Sequence, residues 1–256
     1  MIDNLPQWFS PFSSCGKCDT HGFIVKDGFS YKCSCRIEYD STLSLLRKLL
    51  DANLFNENSS KDAVEFLLQA SFSLYKGKDT NRNLDKIKKF CLQFKQRYTG
   101  LNLFFSGRPG TQKTTLAKTM IKELIKQDVS CYYILANDLI ELIIESSRDK
   151  EKKDFLNSIL IVSDFLVIDE FSADKIISFA SGWQRKNFFP YIKYRLETIK
   201  KSTLFISNQT IDNIGSYFEE AIQDLVMREV PDHSMIFEDN YIQNRGKLDL
   251  SSIWDT

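Results

Sequence analysis

The chain has 256 residues, of which 43% are hydrophobic and 13% aromatic, and its 34 basic residues balance 34 acidic ones. This length suits one α/β domain with a small second unit, and the apolar content excludes a largely disordered chain. A net charge of zero gives no overall positive field, so any contact with DNA has to be local. The start "MIDNLPQWFS" lacks a signal-like pattern and no long apolar run follows, which predicts a cytoplasmic protein without membrane contact.

Four of the six cysteines lie close together near the start of the sequence. They form the pattern Cys15-x2-Cys18, then fourteen intervening residues, then Cys33-x-Cys35. Four thiolates on two such knuckles can surround one Zn²⁺ tetrahedrally, and a closed all-cysteine site is structural rather than catalytic. The sequence therefore predicts a zinc site formed by these cysteines, with His21 as a weaker alternative ligand.

Short β-like runs at 22–26 and 29–33 predict a two-stranded ribbon between the cysteine pairs. From Ser41 onward, apolar residues at three-to-four spacing predict helices, and "NENSSKD" predicts a loop with a helix cap. The two remaining cysteines, Cys91 and Cys131, fall in apolar helix and strand contexts, which predicts buried and unreactive thiols.

Beyond Gly100, short apolar runs alternate with helical patterns. The predicted strands are "LNLFFSG", "SCYYILA", "DFLVIDEF" and "STLFISN", and predicted helices cover 113–127, 137–145 and a stretch near 187–200, after a helix predicted over 84–98 that Gly100 closes. This alternation is typical of a parallel sheet covered by helices, so the predicted fold class is α/β.

The first of these strands leads into "GRPGTQKT", which matches the phosphate-binding pattern G-x-x-x-x-G-K-[ST] at every position except Gln112. A helix that begins here offers unpaired backbone N–H groups and a positive dipole end to phosphate oxygens. Lys113 then reaches the outer phosphates, and the Thr114 hydroxyl holds Mg²⁺. The predicted cofactor-binding residues of this loop are Gly107, Arg108, Pro109, Gly110, Thr111, Gln112, Lys113, Thr114 and Thr115.

Gln112 stands where the pattern has a glycine. If this position requires a positive φ, a residue with a Cβ costs about 1 to 3 kcal/mol of strain. We therefore expect a weakened loop, with slow ATP hydrolysis, rather than a loop that cannot bind. At this point a chance turn of Gly, Lys and Thr stays open as an alternative.

Polar residues end two of the later strands. Asp169 and Glu170 end "DFLVIDEF", and the carboxyl ends of parallel strands lie beside a phosphate-binding loop. We expect Asp169 to hold Mg²⁺ through water and Glu170 to polarise the attacking water. Asn208, after "STLFIS", is expected to orient that water or to contact the γ-phosphate. The alternatives are acidic caps of the next element and an ordinary strand-ending asparagine.

Basic residues supply candidates for two further roles. Arg195, Arg228 and Arg245 are candidates to stabilise charge in phosphoryl transfer, against the alternative of solvated surface arginines. A local DNA track is predicted from Lys152, Lys153, Arg185, Lys186 and Lys193. Charge runs are usually solvated faces, so that alternative also stays open.

The order of these motifs resembles a known family. A knuckle of the form C-x2-C…C-x-C-R, a helical linker, "GRPGTQKTTLA", "FLVIDEF" and "TLFISN" resemble the DnaC/DnaI-like replicative helicase loaders among the AAA+ ATPases, and their relative IstB, an ATPase helper of transposition. The likeness spans nearly the whole chain. It implies that residues 107–114 are Walker A, that Asp169 and Glu170 are Walker B, and that Asn208 is sensor 1.

The resemblance also implies roles outside these motifs. Arg228 in "LVMREV" resembles the arginine finger that such proteins offer to the ATP of a neighbouring subunit, and Arg245 in "YIQNRG" resembles a further nucleotide-contacting arginine. Phe72, Tyr75 and Gly77 resemble a segment that lies near the adenine, while core aromatics are an equal alternative.

By this resemblance, an AAA+ P-loop sheet sandwiched by helices at 61–256 follows a small zinc-binding, partner-binding domain with a helical linker at 1–60. The implied function is ATP-dependent loading of a hexameric replicative helicase onto single-stranded DNA. The implied cofactors are ATP, Mg²⁺ and Zn²⁺, and the subunits self-associate through their ATPase domains. Two alternatives stay open: an IstB-like helper of transposition, which the cysteine knuckle disfavours, and a nucleotide-binding scaffold with little turnover, which Gln112 favours. Residues 172–189 lengthen the family's connection and form either a partner surface or an apolar helix.

Overall fold

A computed structural model of the protein describes residues 5–6, 8–9, 12–75, 82–171, 182–216, 220–230 and 234–237. Gly77 and Arg245 lie outside the described residues, as does most of the segment that follows the Asp-Glu pair. Within the part of the chain that is described, no helix is both long and apolar enough to cross a membrane.

The N-terminal cysteine pairs flank a β-hairpin. Strand β1 (Phe23–Lys26) pairs antiparallel with β2 (Phe29–Lys32), which confirms the predicted ribbon. The two residues between them, Asp27 and Gly28, have φ angles of 52° and 80°. Positive φ at both central residues is what a two-residue type I′ turn requires, and an Asp-Gly pair supplies it.

Helix α1 (Ser34–Asp51) begins seven residues earlier than the helical pattern predicted at Ser41. Its N-cap residue, Cys33, is still extended, with φ −67° and ψ 151°. The first two turns carry mostly polar residues and are exposed or half-buried, so their sequence shows no apolar periodicity before Leu43. The second cysteine pair therefore stands at a helix start rather than on a free loop.

The next helices follow the sequence prediction more closely. Helix α2 (Lys61–Gln69) is capped by Ser60, whose Oγ accepts a hydrogen bond of 3.3 Å from a backbone N–H of the first turn. Helix α3 (Asn83–Leu92) is followed by a π-helical turn at Phe94–Tyr98. The helix predicted over 84–98 is thus present in two pieces.

The remaining elements form the predicted helix-covered parallel sheet. They are β3 (Leu103–Gly107), α4 (Lys113–Ile125), β4 (Cys131–Leu135), α5 (Ala136–Ser146), α6 (Lys150–Asn157), β5 (Phe165–Asp169), α7 (Gly182–Lys193), β6 (Ser202–Ile206), α8 (Glu220–Glu229) and β7 (Ser234–Phe237). The strand order is β4-β5-β6-β3-β7, and every neighbouring pair is parallel. The α/β class is confirmed. Neither α6, with its charged sequence, nor the short β7 was predicted.

Helices cover both faces of this sheet. Successive residues of a strand point to opposite faces, so Phe104 and Phe105 of β3 enter two different cores. The core with Phe105 contains buried residues of α1, α2, α3 and α4, and the core with Phe104 contains those of α5, α6, α7 and α8. Helix α1 thus packs in the same layer as α4. The domain boundary at residue 60 stays a prediction.

Candidate functional site

A cleft of about 350 Å³ lies at the carboxyl ends of β3, β5 and β6. Parallel strands bring their carboxyl ends to one edge of the sheet, where loops and helix N-termini converge. The structure there brings together the predicted loop, the acidic pair and the asparagine. The lining residues are Pro109, Gly110, Thr111, Gln112, Lys113, Thr114, Thr115, Asp169, Glu170, Ile206 and Asn208.

The backbone of the loop uses the left-handed region at three positions, Gly107, Gly110 and Gln112, with φ angles of 142°, 89° and 63°. A Cβ on Gly107 would lie 2.2 Å from the carbonyl oxygen of Phe237. Any side chain at this position would therefore collide with the end of β7. Gln112 does have a positive φ, the condition under which a residue with a Cβ is strained. A side chain there costs about 1 to 3 kcal/mol of backbone strain.

Lys113 is held inside the loop. Its Nζ donates hydrogen bonds to the carbonyl oxygens of Gly107 at 2.6 Å and Arg108 at 3.0 Å, and to the Thr111 hydroxyl at 3.1 Å. The residue is only 6% exposed, and burial lowers the pKa of its ammonium to about 8. The cleft thus contains a desolvated cation next to the N-terminus of α4, which suits an anionic ligand.

Asp169 is the centre of the hydrogen bonds on the opposite side of the cleft. Its Oδ2 accepts from the Thr114 hydroxyl at 2.7 Å and from the Tyr133 hydroxyl at 2.7 Å. Its Oδ1 accepts from the Glu170 backbone N–H at 2.6 Å. Mg²⁺ prefers hard oxygen ligands such as a hydroxyl, a carboxylate and phosphate oxygens. The paired oxygens of Thr114 and Asp169 therefore fit the role expected for them toward Mg²⁺.

Tyr133 contacts the acidic side of this site although its sequence context did not identify it as a site residue. It lies on β4, one strand away from Asp169, in a run whose aromatic residues are typical of any buried strand. Burial is the main cause that raises the pKa of the Tyr133 phenol well above its usual value, and the negative charge of Asp169 raises it further. The hydroxyl is therefore a neutral donor. Lys118 lies 5.0 Å from the centre of the Tyr133 ring, a cation–π distance.

Glu170 and Asn208 both line the cleft, but in different surroundings. Glu170 follows the last residue of β5, is half-buried, and adopts a φ of 55°. Asn208 is exposed and lies two residues beyond the end of β6. The intervening Ser207 donates its backbone N–H to the carbonyl of Phe105 at 2.8 Å, which fixes where this loop leaves the sheet. Their catalytic roles stay predictions.

Arg195 has a structural role instead of the catalytic one considered from the sequence. Its side chain is fully buried and donates to the Thr203 hydroxyl at 2.9 Å and to the carbonyl oxygens of Leu160 at 2.7 Å, Ser163 at 3.1 Å and Ser202 at 2.8 Å. Burial lowers the pKa of the guanidinium to about 9. The arginine thereby satisfies carbonyl groups that burial would leave without partners.

Arg228 lies on α8 with 59% of its side chain exposed. It forms an ion pair with Glu197 and a second one of 3.4 Å with Glu229. It does not line the cleft of its own chain. This placement keeps Arg228 away from the cleft of its own chain, and the role predicted for it in a neighbouring subunit stays a prediction.

The predicted DNA track is only partly described. Lys152 pairs with Glu145 at 3.1 Å, and Lys193 pairs with Glu197 at 3.8 Å. These carboxylates reduce the local positive charge that a phosphate backbone would meet. The side chains of Arg185 and Lys186 lie outside the described residues, and Lys153 is exposed on α6. The track stays a prediction.

Phe72 and Tyr75 pack against the core that contains α2 and α4. The Tyr75 ring meets the ring of Phe237 edge to face, with the two ring centres 6.4 Å apart. Neither aromatic residue lines the cleft, which favours the alternative of core aromatics. The two isolated thiols, Cys91 and Cys131, are buried as predicted, and burial raises the pKa of each.

The four N-terminal cysteines form one cluster. The Sγ atoms of Cys15, Cys18, Cys33 and Cys35 all lie within 4.8 Å of one another, and three of the pairs are 3.9, 3.7 and 3.6 Å apart. Thiolates about 2.3 Å from a tetrahedral Zn²⁺ are about 3.8 Å from each other. The cluster therefore fits a zinc ion. His21 is exposed and does not belong to the cluster.

Removal of zinc is expected to loosen the ribbon and to spare the cleft, because no residue of the cluster lines the cleft. Structural zinc sites contribute directly to folding free energy. We expect chelation to speed amide hydrogen exchange in residues 12–41, and to leave the far end of α1 at residues 46–54, and with it ligand binding in the cleft, unchanged. Cys15→Ser should have the same effect as chelation, while Cys91→Ala, outside the cluster, should retain the metal. Protein purified without zinc, with a ribbon that still resists exchange, would contradict the assignment.

Comparisons with known proteins agree with this architecture. A family model described as IstB-like ATP binding protein matches residues 56–238. The structure is similar to a crystal structure of the DnaC helicase loader, with a TM-score of 0.55 and 23% identity over 70% of this chain and 99% of that one. It is also similar to DnaI, with a TM-score of 0.50 and 22% identity over 67% of this chain and 88% of that one.

A third similar structure is AMPPCP-bound DnaA from Aquifex aeolicus, with a TM-score of 0.53 and 17% identity over 67% of this chain and 51% of that one. At these identities the likenesses show the fold alone. A search of the curated proteins found no match to this chain.

Proposed function

Because the chain belongs to the family of IstB-like ATP-binding proteins, we propose that its cleft binds and hydrolyses Mg·ATP to control loading of a hexameric replicative helicase onto single-stranded DNA. The observation that carries the nucleotide part is the contact of 2.7 Å between the Thr114 hydroxyl and the Asp169 carboxylate. This contact joins the end of β5 to the first turn of α4, which directly follows the phosphate-binding loop. Mg·ATP binding requires these two elements to lie together.

In this proposal, each part of the cleft has one task. The backbone N–H groups of residues 107–115 bind the phosphates, and Lys113 neutralises the outer ones. Thr114 and Asp169 hold Mg²⁺, which neutralises charge on the phosphate oxygens when it is bound. Glu170 accepts the proton of the attacking water, and Asn208 orients that water or the γ-phosphate. Arg245 is proposed as a further nucleotide contact.

The N-terminal part is proposed to bind the helicase. Three exposed apolar residues, Ile24, Phe29 and Tyr31, lie on one face of the hairpin and are 38%, 66% and 55% exposed, while Val25, 74% exposed, lies on the other face. Exposed apolar residues grouped on one face mark protein interaction sites. The family match begins at residue 56, close to the proposed boundary between a partner-binding unit at 1–60 and an ATPase unit at 61–256.

The subunits are proposed to assemble side by side on single-stranded DNA in the cytoplasm, with Arg228 of one ATPase domain at the ATP of the next. Its exposure on α8 supports this arrangement. ATP then favours assembly, and hydrolysis favours release. The cysteine cluster supports a loader over an IstB-like transposition helper, since the resemblance to loaders includes that knuckle.

Loading can be measured directly. The purified protein, the replicative helicase of its own organism and circular single-stranded DNA carrying an annealed strand are mixed with Mg·ATP. We expect the protein to be required for unwinding of the annealed strand. Phe29→Asp should abolish this effect, whereas Ser30→Asp, on the other face of the hairpin, should retain it. If unwinding does not depend on the protein and the protein binds a transposase instead, the result would favour the transposition helper.

A nucleotide-dependent scaffold with little turnover is a second candidate. The left-handed backbone of Gln112, with a φ of 63°, favours it because strain in the loop disfavours a productive arrangement of the phosphates. Tight ATP binding without phosphate release would distinguish this function from that of a loader.

A further inference from the structure

Tyr133 connects the acidic side of the cleft to an element at the far edge of the sheet. Its hydroxyl donates to Asp169 Oδ2 at 2.7 Å, the same oxygen that accepts from Thr114. The Asp169 side chain is almost fully buried, so a lost hydrogen bond there is not replaced freely by bulk water. The orientation of this carboxylate therefore depends on the position of the Tyr133 ring.

The backbone of Tyr133 is held by the end of α1. Its N–H donates to the carbonyl oxygen of Ala52 at 3.0 Å, and its carbonyl oxygen accepts from Asn53 Nδ2 at 2.8 Å. Among the strands that the structure describes, β4 is at the edge of the sheet and pairs with β5. The end of α1 thus supplies partners to backbone groups that an edge strand would expose.

The end of α1 is itself well defined. Ala52 is 1% exposed, and Asn53 adopts the left-handed conformation, with a φ of 58°, that often ends a helix. Lys48, in the last turn of α1, forms an ion pair of 2.6 Å with Asp128, just before β4. At its other end, α1 carries Cys35 of the cysteine cluster in its first turn. One helix therefore runs from the cluster to the strand that holds Tyr133.

We propose that Tyr133 is a positioning residue that couples the orientation of Asp169 to the docking of α1 against β4. This inference rests on the proposed nucleotide function of the cleft, which it deepens by naming a route from the partner-binding unit to the ATP site. Coupling between two sites is reciprocal. Mg·ATP in the cleft then tightens the contact between α1 and β4, and a displaced α1 weakens Mg²⁺-dependent ATP binding.

The first test compares two identical chemical changes on neighbouring residues of β4. Tyr133→Phe removes the hydroxyl that contacts Asp169. Tyr132→Phe removes the same group from the neighbouring tyrosine, whose ring packs against Phe155 with the ring centres 6.0 Å apart. A fluorescent ATP analogue is titrated with Mg²⁺ and without added Mg²⁺, and no chelator is used because it would also remove zinc from the cysteine cluster. Loss of a group that orients a metal ligand costs about tenfold to a hundredfold in metal affinity. We expect Mg²⁺ to raise the affinity of Tyr133→Phe for the analogue about tenfold less than it raises that of the wild type, and we expect the two proteins to bind equally without Mg²⁺.

The second test measures the coupling by amide hydrogen exchange of residues 46–54. In the wild type and in Tyr132→Phe, Mg·ATP should slow exchange at this end of α1, and in Tyr133→Phe the slowing should be absent. Asn53→Ala, which breaks the link from the other side, should weaken Mg²⁺-dependent ATP binding as Tyr133→Phe does. Equal slowing in Tyr133→Phe, or none in a wild type that binds Mg·ATP, would overturn the coupling.

Failure of the proposed function has a different signature. If the wild type binds no ATP, the proposed nucleotide function is wrong, and the coupling between Tyr133 and α1 is then tested without nucleotide. In that measurement, the changes in melting temperature of Asn53→Ala and Tyr133→Phe are compared with that of the double variant. Coupled contacts give a non-additive change, and independent ones add. Simple additivity would overturn the coupling.

Discussion

Glu170→Gln is expected to bind Mg·ATP as the wild type does and to lose almost all phosphate release. The amide keeps the size and the polar contacts of the half-buried side chain at the cleft, but it cannot accept the proton of an attacking water. A positioned general base contributes about a hundredfold to ten-thousandfold in rate. The reduction in phosphate release should therefore be of this size, with no loss of affinity for the nucleotide.

A matched control separates catalysis from a general change of charge. Glu141→Gln alters an exposed glutamate of α5 outside the cleft and should leave both binding and release unchanged. Binding is followed with a fluorescent ATP analogue, and release with a coupled phosphate assay. Wild-type release by Glu170→Gln would refute the role proposed for Glu170.

Arg228→Ala is expected to bind Mg·ATP normally and to lose turnover. An arginine finger supplied by a neighbouring subunit contributes about a thousandfold to a hundred-thousandfold to phosphoryl transfer. The exposed position of Arg228, away from its own cleft, means that its loss removes no contact to ATP in cis. Arg148→Ala, at another exposed arginine, is the matched control and should retain activity.

Mixing two inactive variants tests whether Arg228 acts in trans. Glu170→Gln supplies an intact Arg228, and Arg228→Ala supplies an intact Glu170. If neighbouring subunits complete each other's sites, the mixture should recover part of the wild-type phosphate release. A mixture that remains inactive, while each variant still assembles with wild-type protein, would show that Arg228 does not act on the ATP of a neighbour.

Sequence predicts those residues of the cleft that belong to one strand and the loop directly after it, because the chain itself fixes the distance between them. The strand before Gly107 and the helix that begins at Lys113 follow from an apolar run, glycines and a basic residue in sequence. The same holds for Asp169 at the end of β5. The positive φ of Gln112 could also be anticipated, because the pattern has glycine at that position.

Residues that depend on contacts between distant elements could not be predicted in this way. Tyr133 looks like an ordinary strand aromatic, and only the pairing of β4 with β5 brings its hydroxyl to Asp169. Arg195 looks like a surface arginine, yet it donates hydrogen bonds to the carbonyl groups of Leu160 and Ser163, which are distant in sequence. The early start of α1 was missed because its first turns lack apolar periodicity, although they include Cys35, part of the predicted zinc site.

The most direct test of the central claim is ATP binding and phosphate release by the wild type and by Gln112→Gly, each with and without single-stranded DNA. We expect the wild type to bind Mg·ATP and to release phosphate slowly, and DNA to speed that release. Glycine relieves the strain at this position, so Gln112→Gly should bind up to about tenfold more tightly, equivalent to about 1.4 kcal/mol. Binding of ATP by neither protein would contradict the claim that this cleft is a nucleotide site.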